Sequence, residues 1–299
     1  MSKGEPVRTL GLVVALHKRR AEDIARDAVD ALTHLGVSVR VLSEVAQKIG
    51  GRVEAVDEAG LIRSDLVVVL GGDGTLLRYA ALTAPLRTPL LGVYMGGFGF
   101  LTETDASRLR EVLPRIAAGD YDVDERMMLA VDMGPERREG GAPELRVQAL
   151  NDVVIYRGMA GGLLECEVAV DGVEVGHYRG DGIVIATPTG STAYSLAAGG
   201  PVVHPDVPCM ILTPMCLHTL NIRPLVVAPE RRVEVRMFGG YYAAERGAAV
   251  TADGLNVGTL ERGSVLSVTA SEHRARLCSL GLDTFVDRVR RKLRWGAQI

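Results

Sequence analysis

The run Leu70-Gly-Gly-Asp-Gly-Thr75 sets an aspartate inside a glycine-rich turn, between an apolar stretch and a helical one. A turn that leads from strand into helix gathers backbone N–H groups and the positive end of a helix dipole at one point, which suits a phosphate. Glycine lets the backbone approach such a group with no Cβ in the way. Asp73 is the odd member, because a carboxylate beside a polyphosphate is repulsive unless it holds a metal ion or takes a proton. The plainer alternative is a tight turn in which Asp73 caps the helix. The GxxxxGK[ST] spacing of a Walker loop is missing, along with its lysine. A second stretch runs from Arg179-Gly-Asp-Gly through Thr-Pro-Thr-Gly-Ser-Thr-Ala-Tyr194 to Pro201. Thr189, Ser191, Thr192 and Ser195 bring hydroxyls, and Asp181 brings an acceptor for a ribose or an amide. Tyr194 brings a flat face with a polar tip. An elaborate Ser/Thr-rich β-turn is the plainer reading of this stretch. A third feature, Asn151-Asp152 in the apolar segment Leu150–Tyr156, points to a ligand or a turn and is weak alone.

The elements around these residues change character along the chain. Leu10–Leu16 fits a buried parallel strand, and Ala21, Ile24, Ala25, Ala28, Val29, Leu32 and Leu35 then recur at helical spacing up to Gly36. Val37–Leu42, Asp65–Leu70 and Pro89–Val93 read as further strands, with helices over Leu76–Leu82 and Ser107–Ala118. Such alternation predicts a Rossmann-like parallel sheet in an α/β domain. From about Glu125 to Cys278 the apolar residues come in short runs broken by Gly, Asp and Pro, which predicts a mainly antiparallel β domain. Asp171-Gly172 is its clearest hairpin turn. Asp283–Trp295 reads as an amphipathic helix that docks by Phe285, Val286, Val289 and Leu293, back onto the first domain. The expected division is therefore 1–125 joined by 281–299, and 126–280.

Composition narrows the function classes. The chain has 299 residues, 47% hydrophobic and 24% charged, which is ordinary globular usage and excludes disordered, collagen-like and disulfide-stapled chains. A net charge of −3 gives no electrostatic support to a general nucleic-acid-binding role. Cys166, Cys209, Cys216 and Cys278 form no CxxC pair, and a metal cluster of His204, Cys209, Cys216 and His218 is far less expected than ordinary buried thiols and histidines. The apolar stretch near the start is too short for a signal peptide, and no run approaches the roughly 20 residues of a membrane span. The expectation is a cytoplasmic protein with no membrane or nucleic-acid partner.

Taken together, these segments resemble the NAD kinases nearly end to end. Gly71–Thr75 (GGDGT) is shared more loosely with lipid kinases and phosphofructokinases. Gly99–Thr102 (GFLT), Glu125–Leu129 (ERMML) and Asn151-Asp152 follow in the family's order. Asp181–Pro201 (DGIVIATPTGSTAYSLAAGGP) is the decisive stretch, and Arg223–Val227 (RPLVV), Ala252–Gly254 (ADG) and the terminal KLRW complete the match. The resemblance implies ATP-dependent phosphorylation of the 2′-hydroxyl on the adenosine ribose of NAD, giving NADP. It implies an active site between an α/β domain and a β domain, a divalent cation (Mg²⁺ or Mn²⁺), and a homodimer or homotetramer. It makes Asp73 the general base. Asp73, Gly74, Arg78, Asn151, Asp152, Arg179, Asp181 and the run Thr192, Ala193, Tyr194, Ser195, Leu196, Ala197 become NAD contacts. Gly71, Gly72, Gly74 and Thr75 become the border of the donor's phosphates. In oligomeric members a neighbouring subunit supplies some of these contacts. Three departures stand out: Tyr94 where many members have Asn, Leu255 after the late Asp-Gly, and Leu217 before His218 in place of Pro. A GGDGT-type lipid kinase and an NAD-binding regulator without turnover are the alternatives; the first leaves Asp181–Pro201 unexplained, and the second leaves no use for Asp73.

Overall fold

A computed structural model describes residues 2–96, 99–135, 145–157, 163–216, 221–238 and 247–296. The chain divides into two compact units, Met1–Arg126 with Arg274–Ile299, and Met127–His273.

In the first unit, five β-strands alternate with helices: β1 (Thr9–Val14), α1 (Ala21–His34), β2 (Ser38–Leu42), α2 (Ser43–Ile49), β3 (Val53–Val56), α3 (Glu58–Ile62), β4 (Leu66–Gly71), α4 (Asp73–Thr83) and β5 (Leu90–Tyr94), followed by α5 (Leu109–Ala117). The strands pair in parallel in the order β3-β2-β1-β4-β5. The apolar runs are strands because both faces are covered: Leu66 to Leu70 are all essentially buried. Strand order reverses direction at β1–β4, and ligands of such sheets bind beyond the carboxyl ends of the strands at that point. β4 ends there, in Gly71. Three elements escaped the periodicity: α2, β3 and α3 fill the interval 43–62, where short segments with mixed burial give no clear repeat. The helix after β4 starts at Asp73, three residues before the expected Leu76, because extended Gly72 caps it and Asp73 is its first residue.

The second unit is built of antiparallel strands. One six-stranded sheet contains β6 (Asp152–Tyr156), β9 (Gly182–Ala186), β10 (Met210–Met215), β11 (Leu225–Val227), β13 (Ala248–Ala252) and β14 (Leu255–Leu260), ordered β11-β10-β9-β6-β13-β14. Opposing it are β7 (Leu164–Val170), β8 (Val173–Gly180), β12 (Val233–Met237) and the start of β15 (Ser264–Ser279). Val153, Ile155, Ile183, Ile185, Leu212 and Val250 of the first sheet share one core with Val168, Val235 and Val268 of the second. The Asp171-Gly172 hairpin joins β7 to β8, both residues having positive φ. Alternation along β6 sends Asp152 and Val154 to the sheet's other face, where Val154, Val184, Ala186 and Ile211 pack with Ala198 and Val203.

The C-terminal helix α6 (Phe285–Leu293) belongs to the first unit and starts in a capping box of Thr284 and Asp287. Val289 is buried and Phe285 and Leu293 are partly buried, as expected, but Val286 is 57% exposed and Arg288 is buried in its stead. No helix among the described residues is long and apolar enough to cross a membrane.

Candidate active site

Asp73 stands at the first turn of α4, where backbone N–H groups have no helical partner and negative charge is favoured. One carboxyl oxygen, Oδ2, accepts a hydrogen bond from the Phe100 backbone N–H at 3.1 Å. The other, Oδ1, is buried and has no hydrogen-bond partner. A buried acceptor left bare costs free energy, so it calls for a donor that the chain does not supply. Gly99 makes this arrangement possible: a Cβ at that position would overlap the Asp73 carboxyl group. At Gly72 and Gly74 an added Cβ would meet nothing within 4 Å. No part of the fold requires glycine there by contact, and that leaves open backbone beside the helix start for a group such as phosphate. Arg78 lies on the same helix, one turn on, and pairs with Glu58 at 2.8 Å on the surface. Tyr94 donates its hydroxyl to Asp105 at 3.5 Å, and burial and that carboxylate push its pKa up.

The second unit holds Asn151 and Asp152 in a corner. Asn151 lies just outside β6, and Asp152 is its first residue, 1% exposed. Asp253, in the β13–β14 turn with φ 50°, accepts the backbone N–H groups of Leu150, Asn151 and Asp152 at 2.7, 2.7 and 3.2 Å. Thr187 completes the corner from the next strand, donating its hydroxyl to the Leu150 carbonyl at 2.6 Å and its N–H to the Asn151 carbonyl at 2.8 Å. Gly190 presses so closely on Asn151 that a Cβ would run into its carbonyl oxygen. One oxygen of Asp152 takes the Tyr194 backbone N–H, while Oδ2 is buried without a partner. Burial first, and the Asp253 carboxylate second, push Asp152 up to about 7. Burial also raises Asp253, to about 6, against the pull of its three N–H donors. Those donors favour the charged form of Asp253, so the proton of the pair rests on Asp152.

Ser191 and Ser195, expected to offer hydroxyls, use them to shape the loop. Ser191 exchanges hydrogen bonds with backbone Val203 at 3.2 and 3.0 Å, and Ser195 pairs with Thr213 at 2.8 Å. Thr192 donates to the Thr189 carbonyl at 3.3 Å. The exposed side chains of the run are Tyr194 and Ala197, with Ala193 and Leu196 half-buried. Arg179 and Asp181 are elsewhere. Arg179 pairs with Glu165 across the β7–β8 hairpin at 3.0 Å, and Asp181 with Arg157 at 3.2 Å. Gly182 faces Tyr156 in the β6–β9 register, while Asp152 faces Ala186. Five residues of strand, about 17 Å, separate Asp181 from the Asp152 corner within one chain.

Asp253, Phe100, Gly99 and Thr187 carry out positioning that the individual residue types did not announce. Asp253 had a signal, since its Ala252–Gly254 motif is a two-residue hairpin turn with an acid in it. Among the described residues the one trio with metal-ligating spacing is Glu167, Glu174 and His177 on the β7–β8 hairpin, largely exposed and without Asp73. His218 and Leu217 lie outside the described residues.

A bare carboxylate oxygen beside an open helix start, at the switch point of a parallel sheet, defines a phosphotransferase of the GGDGT type. The sequence matches the ATP-NAD kinase N-terminal domain over residues 10–121 and the ATP-NAD kinase C-terminal domain over 150–280. An NAD kinase of Moorella thermoacetica is 40% identical over 290 residues, covering 97% of this chain and 90% of that protein. One of Geotalea daltonii is 36% identical over 290 residues, covering 97% and 99%. Among solved structures, the chain resembles a yeast NADH kinase complexed with NADH (TM-score 0.89, 22% identity, 98% of this chain and 89% of that one). It also resembles an Archaeoglobus fulgidus NAD kinase in complex with ATP (TM-score 0.73, 26% identity, 96% and 98%). The chain belongs to the NAD kinase family, and it is an ATP-dependent kinase.

Proposed function

We propose that Asp73 is the general base that takes the 2′-hydroxyl proton of the adenosine ribose of NAD as the terminal phosphoryl group of ATP is transferred to that oxygen. The observation that carries this reading is the bare, buried Oδ1 of Asp73, which the substrate hydroxyl would satisfy as a donor. A secondary alcohol is a poor nucleophile, and a carboxylate within hydrogen-bond reach takes its proton as the new P–O bond forms. The open backbone at Gly72 and Gly74, with Gly71 and Thr75 on either side, suits the donor's phosphates. Arg78 would reach them only by releasing Glu58. The donor set fits a divalent cation carried in by phosphates, with at most one protein carboxylate, as Mg²⁺ in kinases is usually bound. Mg²⁺ or Mn²⁺ bound that way would neutralise charge on the transferring group.

Asn151, Asp152 and the segment Thr192–Ala197 are assigned to NAD. Asp152, holding its proton, offers a donor at a buried position where a charged carboxylate would repel a dinucleotide. The distance between Arg179 or Asp181 and that corner supports a homo-oligomer in which these two residues serve a neighbouring copy. Four cysteines, all free, support a reducing, cytoplasmic setting. The test is NADP formation from ATP, Mg²⁺ and NAD by the purified protein, read with a dehydrogenase specific for NADP. Product is expected; saturable NAD binding without product would mean a non-catalytic regulator instead.

A further inference from the structure

We propose that Arg288, on the C-terminal helix, is a positioning residue for Asp73, acting through the backbone of Phe100. This rests on the reading of Asp73 as general base.

Phe100 sits between two groups. Its N–H donates to Asp73 Oδ2 at 3.1 Å, and its carbonyl accepts from Arg288 Nη1 at 2.9 Å. The other arm of the same guanidinium, Nη2, donates to Glu103, three residues along the same loop. Glu103 is fixed in turn, since its other carboxyl oxygen accepts the Leu280 N–H at 2.7 Å and the Ser279 hydroxyl at 3.3 Å. The planar fork of Arg288 thus ties positions 100 and 103 together; it holds the Phe100–Leu101 peptide, and the preceding peptide, joined to it at the Phe100 Cα, donates the hydrogen bond to Asp73 Oδ2 that leaves Oδ1 free for a substrate. The Lys292 ammonium lies 4.9 Å from the centre of the Phe100 ring and adds a second hold on that residue.

Helix attachment alone does not account for the pair. The side chains of Arg288 and Glu103 are 10% and 4% exposed. Burying two opposite charges costs desolvation that a pair of apolar residues would avoid, so such a pair is poor evidence of stabilisation. The helix has other attachments, in buried Val289, the partly buried Phe285 and Leu293, and Lys292 over the Phe100 ring. What an apolar pair cannot do is hold the Phe100 carbonyl and, through the backbone of that residue, the N–H that orients Asp73.

The experiment is a cycle of variants: Arg288→Met, Asp73→Asn and both together, with kcat, KM for NAD and thermal midpoint measured for each. In the wild-type background Arg288→Met is expected to lower kcat about 10- to 100-fold, the range seen when a supporting residue is lost, with KM for NAD little changed. In the Asp73→Asn background the same change should lower kcat less than about twofold, because two residues acting through one group are not additive. Arg288→Lys keeps a charge against Glu103 but not the fork, so it should recover thermal stability more fully than kcat. Should Arg288→Met fail to fold, the paired Glu103→Gln/Arg288→Met variant leaves no buried charge unmatched and enters the same cycle. Equal losses of kcat in both backgrounds, or wild-type kcat in a folded Arg288 variant, would overturn the proposal. Loss of activity in Asp73→Asn together with normal turnover in Arg288→Met would sink this inference alone. Normal turnover in Asp73→Asn would remove the base reading and this inference with it.

Discussion

Asp73, at the start of a helix, and Asp152, at the start of a strand, each spend one carboxyl oxygen on a single backbone N–H, from Phe100 and Tyr194 respectively. Each keeps the other oxygen buried and without a partner. What stands behind them differs. Behind Asp73 the supporting residue, Phe100, is held at its carbonyl by a cation, Arg288. Beside Asp152 lies a second carboxylate, Asp253, and the corner is almost free of solvent. Within one chain, two aspartates held by the same local device have different neighbours. On the proposed reading, one is offered as an acceptor for a proton, and the other keeps its own. A perturbed acid in a site is therefore not by itself the catalytic base: in this chain Asp152, raised by burial, is assigned to binding.

Several substitutions would break or sharpen that contrast. The largest effect is expected from Asp73→Asn, which should lower kcat about 10²- to 10⁴-fold, the usual loss for a general base, with an unchanged thermal midpoint. Gly99→Ala comes next. Its Cβ would displace the Asp73 carboxyl group, and a misplacement near 1 Å costs up to about 10² in rate; steady-state kcat of the folded variant checks this. Asp253→Ala strips the acceptor from three backbone N–H groups. It should lower unfolding free energy by about 2 kcal/mol or more in urea titrations, whereas Asp253→Asn, which keeps one acceptor and tolerates the positive φ, should lose less.

The last effect is a pH dependence. Asp152 is raised from its ordinary 3.8 to about 7, so its neutral form stabilises the fold fully below about 4, and that contribution is lost as pH rises through about 7. Asp152→Asn removes the loss. The stability of the wild type relative to this variant should fall between about pH 4 and pH 7, by at most about 1.4 kcal/mol per pH unit for one proton, and level off above. A flat difference across that interval would mean that Asp152 does not hold a proton.

The two regions were also unequally legible in the sequence. The turn at Gly71–Thr75 was readable because a continuous apolar strand, glycines and a helix follow one another within a dozen residues, and strand order then puts that turn at the switch point. At Asn151-Asp152 the local signal was weak, since the corner is assembled from Asp253, Thr187 and Gly190, which are remote in sequence and typical of ordinary turns taken singly. Likewise the apolar pattern of α6 pointed to Phe285, Val286, Val289 and Leu293; Val286 alone of these is exposed, and the burial of Arg288 could not be read because its partner Glu103 lies 185 residues away. Hydroxyls at Ser191 and Ser195 were legible as polar groups, but nothing in their spacing said that they would be consumed by Val203 and Thr213. Local chemistry was readable wherever strand, turn and helix were contiguous, and long-range polar partners were not.

The most direct test of the contrast is to compare Asp73→Asn and Asp152→Ala side by side, measuring NAD dissociation constants by calorimetry and single-turnover NADP formation at saturating NAD. The account predicts a crossed result. Asp73→Asn should bind NAD close to wild type and lose the chemical step, while Asp152→Ala should bind more weakly and retain most of the single-turnover rate once saturated. Loss of the chemical step in Asp152→Ala, with Asp73→Asn still turning over, would contradict it.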